Sequence, residues 1–173
     1  MKFLLSLVFA LLACPLFAQA PPPQISVHLG EAKLKPGQLA KATVKVKFAP
    51  GLHGYQNPPS EDYMIPVTVT GLEGVQVVSV HYPPGHGAKI GGSATEVMTY
   101  SDEIEIQVYF RAPKKVGAGK VSLNVMYQQC NDDSCFPPGN AQVNASYSVN
   151  GTGMASSAAR LGNDVLSRVR GRS

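Results

Sequence analysis

Ala42-Thr43-Val44-Lys45-Val46-Lys47-Phe48 alternates strictly between apolar and polar residues. Successive side chains of a β-strand leave on opposite faces, so Val44, Val46 and Phe48 share one face and Thr43, Lys45 and Lys47 the other. One dry face and one wet face is what an antiparallel sheet packed on one side requires. The same reading works outward along the chain. Residues 24–30 contain Ile25-Ser26-Val27-His28-Leu29, and residues 103–111 turn Ile104, Ile106, Val108 and Phe110 inward. Residues 120–127 do the same with Val121, Leu123, Val125 and Tyr127, and residues 142–149 with Val143, Ala145, Tyr147 and Val149. Shorter runs at 66–70 and 75–82 bring the total to seven or eight strands, with turns such as Lys35-Pro36-Gly37 between them. Two Gly- and Pro-rich stretches, 49–65 and 83–94, read as irregular. No segment of the body has the period of a long amphipathic helix, and no internal repeat is present. The expected fold is all-β, an immunoglobulin-like antiparallel β-sandwich formed by one domain over residues 21–150.

Both ends of the chain are of a different character. Met1-Lys2 is followed by an apolar run through Phe17, and Ala18-Gln19-Ala20 offers a small-x-small cleavage site. Residues 1–20 therefore read as a signal peptide, too short and wrongly flanked for a membrane span. The mature chain is expected to be exported, with no transmembrane span. Pro21 hinders cleavage just before it, which directs attention to Ala18 as a second cut point. Leu11-Leu12-Ala13-Cys14 also resembles a weak lipobox, whose use would leave Cys14 as a lipidated N-terminus. Pro21-Pro22-Pro23 reads as a stiff linker. Residues 151–173 read as a flexible basic tail, in which Leu161, Val165 and Val169 recur every four residues as in a short helix.

The net charge of +4 belongs to these ends. Residues 21–153 hold ten basic and ten acidic side chains, whereas the tail holds Arg160, Arg168, Arg170 and Arg172 against Asp164. A neutral body implies no basic face, so nucleic acid is not an expected partner.

Export also decides the cysteine count. Cys14 leaves with the signal peptide or carries lipid, and Cys130 and Cys135 remain in a disulfide-permitting compartment. Cys130 closes one expected strand, and Cys135 precedes the next across four polar residues. Facing strand ends lie about 4.5–5.5 Å apart at Cα, within reach of a disulfide. A bridge there closes only a short loop and adds little to stability. An exposed bridge at a loop tip would be open to thiolate attack. The spacing leaves redox exchange and a plain staple both open. A soft-metal site built with His53, His81, His86, Met64 or Met98 is a third reading, but one cysteine pair falls short of a four-ligand set, so no metal or other cofactor is expected.

Tyr127-Gln128-Gln129-Cys130, a short polar insert and Cys135-Phe136-Pro137-Pro138 together resemble the N-terminal domain family of the thiol:disulfide interchange protein DsbD. Leu34-Lys35-Pro36-Gly37, Gly51-Leu52-His53-Gly54-Tyr55 and Tyr100-Ser101-Asp102-Glu103-Ile104 extend the likeness over residues 24–149. The resemblance implies an immunoglobulin-like fold in the periplasm and a Cys130–Cys135 pair that shuttles between dithiol and disulfide. It implies that Cys135 is the sulfur attacked by partners and Cys130 the resolving one. His53, Tyr55, Tyr127, Asp132, Asp133, Phe136 and Pro137 become near-site candidates. A cap loop maps to residues 83–92, with His86, Lys89 and Ile90 but no aromatic. The implied partners are a thioredoxin-like or membrane electron donor and oxidised periplasmic thiol proteins, cytochrome-maturation factors among them. Asp132 and Asp133 are expected to raise the thiol pKa by repelling the thiolate. No membrane carrier or thioredoxin-like domain follows in the sequence, so the donor is expected to be a separate protein. The alternative is a non-catalytic envelope adaptor with an inert hairpin disulfide.

Overall fold

A computed structural model describes residues 20–151; the expected signal peptide through Gln19, Cys14 and the tail from Thr152 lie outside the described residues. Twelve strands, and no helix among the described residues, form three sheets. The first sheet orders β1 (Gln24–Leu29), β3 (Leu39–Lys47), β9 (Glu103–Arg111) and β6 (Gln76–His81), all antiparallel. The second orders β2 (Lys33–Leu34), β12 (Gly139–Val149), β10 (Gly117–Tyr127) and β5 (Thr68–Gly71). Its β2–β12 pair is parallel, and its other pairs are antiparallel.

These two sheets face each other across the core. Val44, Val46, Ile106 and Val108 come from one sheet and Val121, Leu123 and Val125 from the other, all fully buried. Fully burying each such side chain contributes roughly 1.5–3 kcal/mol, and the alternation of apolar residues is what aims them all inward. The wet face of β3 is as legible: Lys45 reaches Glu103 at 3.4 Å and Glu105 at 2.9 Å across the β3–β9 ladder.

The third sheet was not visible as strands in the sequence. It orders β11 (Gln129–Cys130), β4 (His53–Tyr55), β8 (Val97–Tyr100) and β7 (His86–Ala88), and it caps one end of the sandwich. The two stretches expected to be irregular, 49–65 and 83–94, therefore contain β4 and β7. Strands of two to four residues show no measurable alternation, and tertiary pairing rather than local pattern makes them extended. Gly54 illustrates the tertiary demand. A Cβ at this position would fall 2.7 Å from the Phe48 ring and 3.1 Å from Val67, so the strand lies against the main core only because it has no side chain there.

Two further expectations change. The β10–β12 hairpin closes at Tyr127 opposite Gly139, so Cys130 does not end the long strand; it lies in β11 of the third sheet. Pro21-Pro22-Pro23 does not stand clear of the domain: Pro23 is buried, and the Pro21 carbonyl accepts a 2.9 Å hydrogen bond from Gln129 Nε2.

Candidate functional site

The third sheet and the turn that follows β11 set the two cysteines opposite each other in a defined register. Asn131 N–H donates to Ser134 O (3.0 Å) and Phe136 N–H to Gln129 O (2.8 Å). Cys130 and Cys135 are thus the facing pair between two hydrogen-bonded rungs, where antiparallel Cα atoms come closest. They face at 4.0 Å between Cα atoms and are joined as a disulfide. Asp132 and Asp133 form the exposed tip of this turn. Asn131 makes the turn: its Oδ1 accepts the backbone N–H of Asp133 (3.0 Å) and of Ser134 (2.8 Å). A short amide side chain that satisfies the backbone two and three residues on stabilises this reversal.

The two sulfur-bearing residues occupy opposite environments. Cys130 is fully buried, packed with Tyr55, Met64, Ile90 and Val97 in a small apolar cluster separate from the main core. Cys135 is exposed. The expected exposed bridge is therefore exposed on one side only. The difference follows from register, since Cys130 lies opposite His53 in the β11–β4 ladder and shares its inward-facing row.

A second loop closes over the pair. Gly91 and Gly92 donate their N–H groups to Asn131 O (2.7 Å) and Asp132 O (2.8 Å), stitching residues 90–92 to the turn between the cysteines. Ile90 is 1% exposed and fills the cluster around Cys130. Gly91 has φ +63°, and a Cβ there would fall 2.7 Å from Cys135 Sγ. Both backbone conformation and proximity to sulfur therefore select glycine. Lys89 and His86 are exposed.

Tyr55 touches the sulfur of Cys135. Its hydroxyl lies 3.3 Å from Cys135 Sγ. A disulfide sulfur carries no hydrogen, so the phenol donates. Burial pushes the Tyr55 pKa up, with the nearby Tyr63 adding to the shift, so the donor stays protonated at neutral pH. His53 is half-buried, its Nδ1 is enclosed without a partner, and its ring stands edge-on to that of His86 at 6.3 Å. His86 Nε2 lies 3.3 Å from Ser101 Oγ and 3.5 Å from Thr99 Oγ1.

The fold thus collects Cys130, Cys135, His53, Tyr55, Asp132, Asp133, His86 and Ile90 at one pole. Phe136 is half-buried beside them and Pro137 is exposed. Tyr127 belongs to the main core instead, its ring stacked where a Gly139 side chain would be. His81 lies apart on β6, against the ring of Tyr109 at 5.2 Å. Met64 is buried and Met98 exposed, and among the described residues no three His, Cys, Asp or Glu side chains converge as metal ligands would. Of the soft-metal set, His53, His86 and Met64 lie near the cysteines and His81 does not. Gly91, Asn131, Gln129, Val97 and Thr99 were not singled out in the sequence. The Gly91-Gly92 doublet was the signal available for the first of these; the others owe their places to register.

No curated protein matches the sequence. The N-terminal periplasmic domain of ScsB from Proteus mirabilis is similar in fold, at 13% identity and a TM-score of 0.53, over 70% of this chain and 46% of that one. The reduced N-terminal domain of DsbD from Neisseria meningitidis aligns at 20% identity and a TM-score of 0.43, over 70% of this chain and 87% of that one. The family model for the N-terminal domain of the thiol:disulfide interchange protein DsbD matches residues 24–146, a span that takes in all three sheets and both cysteines. With its sandwich, its capping sheet and its bonded cysteine pair, the chain belongs to the DsbD N-terminal domain family.

Proposed function

We propose that residues 21–150 are an exported domain that relays reducing equivalents between proteins through the Cys130–Cys135 dithiol/disulfide. In this reading Cys135 is the exchanging sulfur and Cys130 the resolving one. The observation that carries it is the asymmetry of the bridge: Cys135 is exposed, and Cys130 is fully buried. Attack by a partner thiolate must reach a sulfur from solvent, and of the two residues Cys135 is the one on the surface.

The exchange balances without a cofactor. A thiolate of the reduced donor attacks Cys135 Sγ, the Cys130–Cys135 bond breaks, and Cys130 leaves as a thiolate that takes up a proton. The donor's second thiolate then resolves the mixed disulfide, which leaves the domain as a dithiol and the donor oxidised. Delivery runs the same steps with an oxidised periplasmic partner: Cys135 attacks its disulfide, and Cys130 attacks Cys135 Sγ to expel the reduced partner. Two electrons and two protons cross in each half. The donor is a separate thioredoxin-like or membrane protein in this reading, and the signal peptide at residues 1–20 delivers the domain to the periplasm.

Single-cysteine variants test the assignment of roles. Cys130→Ser should accumulate a mixed disulfide with a reactive small disulfide or a thioredoxin-like protein through Cys135. Cys135→Ser should accumulate it at least tenfold more slowly, as expected for a buried thiol. Equal trapping by the two variants would contradict the assignment.

A further inference from the structure

Gln129 is, with His53, one of two side chains near the site that hold a buried polar atom without a partner among the described residues. It is 3% exposed, and it directly precedes Cys130 in β11. Its Nε2 donates to the Pro21 carbonyl at 2.9 Å, which fixes the orientation of the amide, because the reverse orientation would set two oxygens against each other. Its Oε1 is then buried with no partner. A buried acceptor left unsatisfied costs roughly as much as the bond it lacks, so such groups point to a missing donor.

We infer that Gln129 is a receptor for the chain's own N-terminal segment, and that residues 20–23 docked there form a strap holding the strand that carries Cys130. Three observations converge on it. Pro23 is buried, although it precedes the first strand. β1 starts at Gln24 opposite Lys47, at the end of the sandwich from which the chain runs through Phe48 into β4 and so to the partner of Cys130. The donor still owed to Gln129 Oε1 cannot come from Pro21, Pro22 or Pro23 as internal residues, because a proline within the chain has no N–H. The expected signal-cleavage position lies directly upstream of Pro21, and in this inference the α-ammonium group that cleavage creates is the charged donor that Oε1 lacks. The strap ties N-terminal processing to the rigidity of β11, and thereby to how firmly the buried sulfur is held. It does not depend on the direction of electron flow, or on redox activity itself.

Four oxidised proteins test it: chains starting at Gln19 or at Gln24, each with and without Gln129→Leu. Hydrogen exchange at the Gln129 and Cys130 amides is the readout. Removing residues 19–23 should speed exchange there by about fivefold to tenfold, the equivalent of one lost hydrogen bond. Gln129→Leu in the longer chain should do the same, and the two changes together should do no more than either alone. Multiplying effects, or a truncation that leaves these amides unchanged, would overturn the inference. Should Gln129→Leu fail to fold, the truncated chain with Gln129 intact decides the matter: faster exchange confined to β11 supports the strap, and unchanged exchange removes it.

Discussion

Tyr55 and the two aspartates pull the Cys135 thiol in opposite directions. Asp132 and Asp133 are solvated at the turn tip, where their repulsion of a thiolate is weakened by water and salt. The Tyr55 hydroxyl touches the sulfur directly at 3.3 Å and is screened by neither. In the reduced domain the same hydroxyl would donate to a thiolate, and a hydrogen bond to a charged group is worth roughly 1.5–3 kcal/mol. Tyr55→Phe should therefore raise the Cys135 thiol pKa by about one unit and slow its alkylation at neutral pH. An NMR titration of the reduced protein checks this. An unchanged pKa would mean that the contact is lost on reduction and that the aspartates dominate.

At the scale of elements, the two loops over the cysteines are stabilised by much less than the sandwich. Ile90 and Leu123 are equally buried, but Ile90 fills a cluster of five buried residues and Leu123 lies between the two main sheets. Leu123→Ala should cost about 2–5 kcal/mol of global stability. Ile90→Ala should act mainly locally, lowering the protection of the residues 86–92 and 129–135 and speeding reduction of the disulfide by a small thiol. Denaturant melts and hydrogen exchange on the two variants separate the effects; a uniform loss of protection in both would contradict the division. The same contrast explains what could be read from sequence. β3, β9, β10 and β12 run nine to eleven residues with one face dry, so their alternation shows in the sequence. β4, β7 and β11 run two or three residues and are extended only because they pair within the third sheet, β11 with β4 and both β4 and β7 with β8. The cysteines and their motif were visible without the structure. That Cys130 is buried and Cys135 exposed was not, since it depends on which residue of a two-residue strand faces His53.

Four tyrosines give the whole molecule a defined alkaline response. Burial pushes the pKa values of Tyr55, Tyr82, Tyr100 and Tyr127 up from the ordinary 10.0. A group whose folded pKa lies above its unfolded value keeps its full contribution below the unfolded pKa and loses it as pH rises further. Stability should be level through neutral pH and fall once pH passes about 10, where the unfolded chain begins to ionise first. Tyr127→Phe should flatten that fall with little cost, since the ring stays in the core and its hydroxyl has no hydrogen-bond partner among the described residues. Urea midpoints between pH 8 and 11 measure it, and an unchanged slope in the variant would contradict it.

At the scale of the whole molecule, the proposed exchange role rests on a sandwich that carries a disulfide at one pole. The bridge spans five residues in sequence and is already held by a paired turn, so closing that loop adds little to the stability of the fold. The most direct measurement is the reduction potential of the Cys130–Cys135 pair, taken by equilibrating residues 21–150 in thiol buffers and counting free thiols. A domain that relays electrons should show a value within the span of exchange proteins, roughly −120 to −270 mV. A value below about −300 mV would mark a structural staple and contradict the relay.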